Sequence, residues 1–411
     1  MTSLVETIAP DRLGRSFRWL MSSSWLTNLG DGMGLAAGPL LVAAQTNDPG
    51  LVALALLLQN LPWLVFGLVA GAMADRVDRR VLAITVNLIR AGVLVLLSVS
   101  VLTGTVSIAL VLLALFAHGT AEVFADTAVA TLLPTLLPRD ELAIGNARLS
   151  LGFVTMNQLV GPPIGAALFV VGHAWPFVGQ AVLVCVGALL VSRIVLPAPT
   201  RSPAAPHVRR DIAEGFRWVR HHAAVRTLIL TIFTFNITFG AAWSVLVLYA
   251  RDRLGLGAVG YGLLTTTSAI GGVFGGLAYG WITRRITLGN IMRIGLIIET
   301  LTHLSLALTT TPAIAVGIFF VFGAHAFIWG TTSATVRQRA VPNALQGRVS
   351  SVNSVGVFGG LVVGAGIGGA LAQRWGVTAP FWFAFAGSGL FVVLIWRQLT
   401  HIALDPVPED A

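Results

Sequence analysis

Residues 71–80 read GAMADRVDRR. Five of the ten are charged (Asp75, Arg76, Asp78, Arg79 and Arg80), in a chain of 411 residues of which only 10% are charged and 55% are hydrophobic. Apolar runs flank the cluster: LVALALLLQNLPWLVFGLVA at 51–70 and VLAITVNLIRAGVLVLLSVSVL at 81–102. Each is long enough for a helix to cross the roughly 30 Å hydrocarbon core of a bilayer, which takes about 20 residues. The cluster therefore reads as a tight loop between two membrane crossings, and its arginines hold it on the cytoplasmic side.

Working outward, the same pattern recurs. Apolar segments near 18–44, 51–73, 81–102, 106–132, 146–171, 174–196, 226–250, 258–282, 287–308, 312–335, 350–372 and 378–399 predict twelve transmembrane helices. Soluble domains carry about 25% charged residues; at 10%, with a mean hydropathy of +0.84, this chain has too little charge to cover a water-facing surface. It reads as an all-α polytopic membrane protein. The 45 glycines suit helices that pack closely in lipid. The single cysteine, Cys185, excludes a disulfide framework. The N-terminal stretch MTSLVETIAPDRLGRSFRWL has acidic residues and no cleavage pattern, unlike a signal peptide.

All basic residues are arginine, and they orient the spans. Arg12, Arg15 and Arg18 precede span 1; Arg76, Arg79 and Arg80 follow span 2; Arg139 and Arg148 flank the loop after span 4. Arg201 to Arg226 fall between spans 6 and 7; Arg284, Arg285 and Arg293 follow span 8; Arg337, Arg339 and Arg348 surround the loop after span 10. The opposite loops, QTNDPG, TGT, GHAW and TTTP, have none, and only Arg251, Arg253 and Arg374 lie on that side. Both termini are expected in the cytoplasm. The net charge of +9 is accounted for by these loops without nucleic acid.

The chain also repeats. RWLMSSSWLTN (18–28) aligns with RTLILTIFTFN (226–236), placing Asn28 over Asn236; Pro138, Gly165, Gly172 and Pro176 meet Pro342, Gly369, Gly376 and Pro380 at an offset of 204. The expected organisation is two pseudo-symmetric six-helix bundles, 1–196 and 226–399, with a linker at 197–225 and a cytoplasmic tail at 400–411. In the linker, Ile212, Phe216 and Val219 have helical spacing beside Arg217 and Arg220, predicting a short amphipathic helix on the membrane surface. Repeated halves of this kind suggest a transporter.

The loop after span 2 resembles the signature of the major facilitator superfamily, through Gly71, Asp75, Arg76, Arg79 and Arg80, with Asp78 in place of the usual second glycine. A degenerate copy, GWITRR, follows span 8. Gly161, Pro162 and Gly165 in span 5 are similar to the motif of the antiporter branch, with Asn157 and Ala166 where that motif has glycine. The stretches NLGDGMGLAAGPLL, AEVFADTAVATLLPTLLPRDEL and DIAEGFRWVRHH resemble the bacterial efflux branch of enterobactin and macrolide exporters. The resemblance implies that Asp75 and the neighbouring arginines latch a cytoplasmic gate. It also implies that spans 1, 4, 7 and 10 line a central cavity.

Ionisable residues within spans are functional candidates by default. Asp31 lies near mid-depth in span 1, with Asn28 a turn earlier. Span 4 places His118, Glu122 and Asp126 at i, i+4 and i+8, one helical face. Asp31 or Glu122 is expected to carry a coupling proton, and Asp126 to be a structural partner for a loop arginine. Arg90 in span 3 and Glu299 in span 9 put opposite charges at equivalent depth; Arg90 is expected to pair with Asp31 or Glu122, and His303 is one turn from Glu299. Asn236 and His325 are candidates for the cavity wall, whereas Trp243 and Trp329 read as packing toward lipid.

No Gly-x-x-x-x-Gly-Lys-Ser/Thr motif exists, since the chain has no lysine, and no metal-ligand motif or catalytic domain points to an enzyme. The expected partners are protons, a small-molecule substrate and the bilayer, with no cofactor or metal, in a monomer. The function expected is secondary active export of a small amphipathic molecule by proton antiport. A proton symporter or facilitator importing a nutrient is the alternative.

Overall fold

A computed structural model describes residues 11–74, 76–196, 208–342 and 345–398. Asp75, the greater part of the linker before 208 and the tail 400–411 lie outside the described residues. Every regular element among the described residues is helical. The helices are α1 (Gly14–Gln45), α2 (Pro49–Ala74), α3 (Arg79–Leu102), α4 (Ile108–Leu136), α5 (Leu142–Gly152), α6 (Gly161–Val171), α7 (Trp175–Ser192), α8 (Val208–His221), α9 (Ala223–Trp243), α10 (Ala258–Thr283), α11 (Leu288–Leu308), α12 (Pro312–Ala340), α13 (Gln346–Trp375) and α14 (Ala379–Ile395). By length and composition, nine helical stretches among the described residues can cross a membrane, the series Leu142–Val171 among them; Ala379–Ile395 is apolar but shorter.

Local chemistry sets the helix ends. Asp78 is the N-cap of α3: its Oδ1 accepts from the backbone N–H groups of Arg80 (2.8 Å) and Val81 (3.1 Å). The residue that replaces a glycine in the loop signature thus satisfies two N–H groups that a helix start leaves open. Ser107 and Thr287 cap α4 and α11 in the same way. Pro176, Pro312 and Pro380 occupy first-turn positions, where a missing N–H costs nothing.

Between α5 and α6 the backbone widens into a π-helix, Phe153–Val160. The cause is the Pro162-Pro163 pair. Neither proline can donate back into the preceding turn, and each ring crowds the carbonyl four residues earlier. The N–H of Gly161 accordingly reaches the carbonyl of Met156, five residues back.

The chain divides into two compact units, one of Met1–Gln45 with Val65–Pro206, the other of Thr46–Leu64 with His207–Ala411. In the first, α1 packs on α4, α5, the π-helix, α6 and α7, while α3 packs on α4 and α7. A core of Phe17, Leu20, Met21, Ala83, Leu132, Leu133, Val191 and Ile194 fills its interior. Backbones touch where α1 meets α6: a Cβ on Gly161 would lie 2.6 Å from Gly32 Cα, so no larger residue fits without moving a helix.

In the second unit α9 packs on α13 and α14, α10 on α12, and α11 on α12 and α14. Leu228, Ile232, Phe235, Met292 and Leu296 belong to one of its apolar clusters. The linker helix α8 docks on protein: Val219 is buried and Trp218 packs with Val225, Ile229, Val341 and Val349, while Glu214 pairs with Arg348 at 2.7 Å. Phe216, expected on the same apolar face as Val219, is exposed. Among the described apolar positions of α8, Val219 and Trp218 face protein and Phe216 faces outward.

Candidate functional site

In the first unit, four helices bring their polar side chains to one point. Arg90 of α3 is fully buried, at 1% exposure. Its Nη2 donates to Asp31 Oδ1 of α1 and its Nη1 to Asn87 Oδ1 at 3.0 Å, while Nε is buried without a partner. A guanidinium at this depth cannot lose its proton, so it needs a fixed anion, and Asp31 supplies it. Of the two acids expected as partners for Arg90, the geometry selects Asp31.

Asp31 has a second donor, Gln180 of α7. Its Nε2 lies 3.1 Å from Asp31 Oδ1 and 3.1 Å from His118 Nε2 of α4. The two N–H groups of one amide serve both neighbours. His118 Nε2 is then an acceptor, which puts the ring proton on Nδ1 and leaves the imidazole neutral. His118 Nδ1 is itself buried without a partner. His118 Nε2 is 3.6 Å from Asp31 Oδ1 and 3.9 Å from Glu122 Oε2. Glu122 is 26% exposed, against 7% for Asp31, so the network runs from a dry ion pair to a partly exposed carboxylate. One turn on, Asp126 is exposed, and no loop arginine reaches it among the described residues.

The ligand-bearing atoms of Asp31, His118 and Glu122 lie within 4.8 Å of one another, a spacing that a divalent cation can bridge. Arg90 argues against that use, because it already occupies the Asp31 carboxylate and would repel a second cation in a dry site. A proton, which can go to Glu122 or His118 without displacing Arg90, fits the arrangement.

The motif residues of span 5 sit beside this network. A Cβ on Gly161 would meet Gly32, and one on Gly165 would meet Met33. Both glycines hold α6 against the α1 segment that carries Asp31. In the loop after α2, Arg79 donates to the carbonyls of Ala74 (3.3 Å) and Thr131 (3.2 Å), and Arg80 to that of Ser192. These carbonyls lie toward the C-terminal ends of α2, α4 and α7, where cations are favoured. A Cβ on Gly71 would meet nothing, and Arg76 is exposed.

In the second unit, Glu299 and His303 of α11 face His325 of α12, with His325 Nε2 4.0 Å from Glu299 Oε2. Trp243 stacks among Phe239, Phe319 and Phe322 and meets the His303 ring edge-on. Trp329 buries its Nε1. Both tryptophans thus turn inward rather than toward lipid, because the aromatic cluster of α9 and α12 and the small Gly295 of α11 leave room for them. Asn28 and Asn236, aligned by the repeat, make the same bond: each side-chain amide donates to the carbonyl four residues earlier, both at 2.7 Å.

Two residues of the first network went unnoticed in the sequence. Gln180 and Asn87 are uncharged, and within apolar runs they are weak signals. Gln180 was findable as the one amide in the run WPFVGQAVLVCVGALLVS.

Residues 6–407 match the family of transmembrane secretion effectors. The multidrug efflux pump Tap of Mycolicibacterium fortuitum is 30% identical over 383 residues, covering 86% of this chain and 88% of that protein. Macrolide efflux protein A of Streptococcus pyogenes is 24% identical over 368 residues (85% and 87% covered), and the enterobactin exporter EntS of Shigella boydii 24% over 392 (95% and 92%). A crystal structure of the nucleoside transporter NupG superposes with a TM-score of 0.77, at 14% identity, over 94% of this chain and 100% of that one, a likeness of fold.

Proposed function

This chain belongs to the transmembrane secretion effector family of the major facilitator superfamily, a multi-pass transporter of a bacterial cytoplasmic membrane and not an enzyme, and from that premise we propose that it exports small amphipathic molecules, drugs or siderophores, by proton antiport. Twelve crossings with both termini in the cytoplasm, two six-helix bundles and a monomeric protein that alternates access to a central site complete the reading. Its relatives named for multidrug, macrolide and enterobactin efflux support the direction of transport and the substrate class.

One observation supports the proton coupling: in the first unit the guanidinium of Arg90 is paired with Asp31, while a second carboxylate, Glu122, lies 3.9 Å from His118 with no permanent cation against it. With His118 neutral, the group has a net charge of −1 when Glu122 is ionised and zero when it is protonated. An unpaired charge in a low-dielectric site is costly, so one proton decides whether the group tolerates closure. Asp31 is committed to Arg90, which leaves Glu122, partly exposed and beside His118, as the acid that exchanges the proton. Release of that proton when the site opens to the cytoplasm would favour substrate entry, and uptake from the outside would favour its exit. Differential protonation is what lets a proton gradient bias the two states. On the cytoplasmic side, Gly71, Asp75, Arg76, Arg79 and Arg80 form the gate latch. Asn28 and Asn236 line the cavity.

The test is accumulation of a compound panel in a host lacking its own efflux pumps. Wild-type protein lowers accumulation of at least one compound, and a proton uncoupler or Glu122→Gln at matched membrane level abolishes the effect. Raised accumulation would overturn the direction, and uncoupler-resistant efflux would overturn the coupling.

A further inference from the structure

The second unit holds an ionisable cluster that the network around Asp31 does not include. Glu299, His303 and His325 meet between α11 and α12, and five nitrogens there are buried without a hydrogen-bond partner: Nδ1 and Nε2 of His303, Nδ1 and Nε2 of His325, and Nε1 of Trp329. His303 is 0% and His325 6% exposed. Neutral imidazole carries one donor and one acceptor, and burying both unpaired is costly enough that such groups are rare in folded proteins. Two such rings, with a carboxylate 4.0 Å from one of them, are poor packing material. They make sense as groups whose partner is a proton that comes and goes.

The two units differ in the counter-ion they give their buried acid. Asp31 faces Arg90, a permanent cation. Glu299 faces His325, which is a cation only when protonated. The recorded contacts of the elements packed around the cluster are uncharged: α9 presents Trp243 to His303, α14 presents Gly389 beside Thr300, and α10 reaches α12 through Tyr279, whose hydroxyl meets Thr332; Arg226 lies in the first turn of α9, and Arg337 and Arg339 in the last turn of α12. Arg293, also on α11, is engaged elsewhere, donating to the carbonyl of Trp396 at 2.6 Å. Without a proton the cluster is therefore a lone anion with only 13% of its Glu299 side chain exposed. With one proton it is neutral, whether that proton sits on a Glu299 oxygen or forms an imidazolium beside the carboxylate.

We propose that Glu299, His325 and His303 form a second proton-binding site, held entirely within the second unit, that takes up and releases one proton in the transport cycle. Glu299 and His325 share the proton. His303, at i+4 from Glu299 on the same helical face, receives it when a side-chain rotation brings its ring to the carboxylate. Each event is one proton gained or lost, so the cluster moves between −1 and 0 with no other reactant. The role in transport rests on the antiport reading above; the binding of a proton does not.

The test reads the cluster directly, in full-length protein in lipid nanodiscs. The infrared difference spectrum between pH 5 and pH 9 is expected to contain a protonated-carboxyl band that survives Glu122→Gln and disappears in Glu299→Gln. His325→Gln is expected to move the midpoint of that band by at least one pH unit. Unsubstituted protein carrying ¹⁵N-histidine provides a second readout, in which ring signals assigned to His325 and His303 shift with the same midpoint as the band. A carboxyl band indifferent to Glu299→Gln, a midpoint unmoved by His325→Gln, or rings that keep one tautomer across this range would each overturn the proposal. No transported compound is needed. A titrating cluster in a protein that moves no protons would overturn antiport alone, and antiport without titration here would overturn the second site alone.

Discussion

Arg90 of α3 and Asp31 of α1, 59 residues apart in sequence, are both buried, the guanidinium lying directly on the carboxylate. Neither can be removed alone without stranding the other. Breaking such a pair by losing one partner costs about 3–5 kcal/mol, whereas replacing both with neutral groups of similar size can cost little. Asp31→Asn and Arg90→Gln are each expected to lower the thermal unfolding temperature in detergent. The double variant is expected to recover most of the loss. Independent, additive losses would show that the two residues are not a pair.

Gln180 serves Asp31 and His118 with one amide, and this fixes the His118 tautomer. Gln180→Leu removes both donors. The ¹⁵N signals of His118 are expected to report a proton on Nδ1 in wild type and a mixture of tautomers in Gln180→Leu. Transport is expected to fall more steeply with pH change in the variant, since a proton on His118 Nε2 would then be free to be donated to the carboxylate of Glu122 or Asp31.

The contact of α1 with α6 leaves no room for a side chain at Gly161, where a Cβ would stand 2.6 Å from Gly32 Cα. Both atoms belong to backbone, so neither yields by a rotamer change. Gly161→Ala is expected to destabilise by about 1–3 kcal/mol, the usual cost of overpacking, and to lower the folded yield in the membrane. Gly67→Ala in α2, where a Cβ meets nothing within 4 Å, is the control and is expected to fold normally.

Asp78 caps α3 through two backbone N–H groups. Asp78→Ala is expected to cost about 1 kcal/mol and to raise hydrogen exchange at Arg80 and Val81, while Asp78→Ser retains most of the protection. Equal exchange in all three proteins would remove the cap from the account.

The outline of the fold was written in hydropathy: each apolar segment read as a span carries a helix in the described residues, and the arginine-rich turns fall between them. The buried charges were equally visible, because an Asp, Glu, His or Arg in an apolar run has no other explanation than a partner or a function. The choice of partner was not. Span 3 to span 1 is a question of helix rotation, and nothing local in the sequence tells Arg90 to take Asp31 over Glu122. Gln180 and Asn87 escaped because amides are tolerated in spans and carry no charge signal. The inward turn of Trp243 also depended on neighbours, Phe239 and Phe322, that are adjacent only once α9 and α12 pack. The Pro162-Pro163 pair did signal a disturbed helix, though not that the disturbance would be a π-helix.

The most direct test of proton antiport is proton movement driven by substrate. Purified protein is reconstituted in liposomes with a pH dye inside. The lumen is loaded with a compound whose cellular accumulation the protein lowers and which does not titrate near neutral pH, and is then diluted into compound-free buffer. As compound leaves, protons should enter and the lumen should acidify, whichever way the protein is inserted; Glu122→Gln should abolish the acidification. Compound efflux with an unchanged or rising lumenal pH would contradict proton antiport.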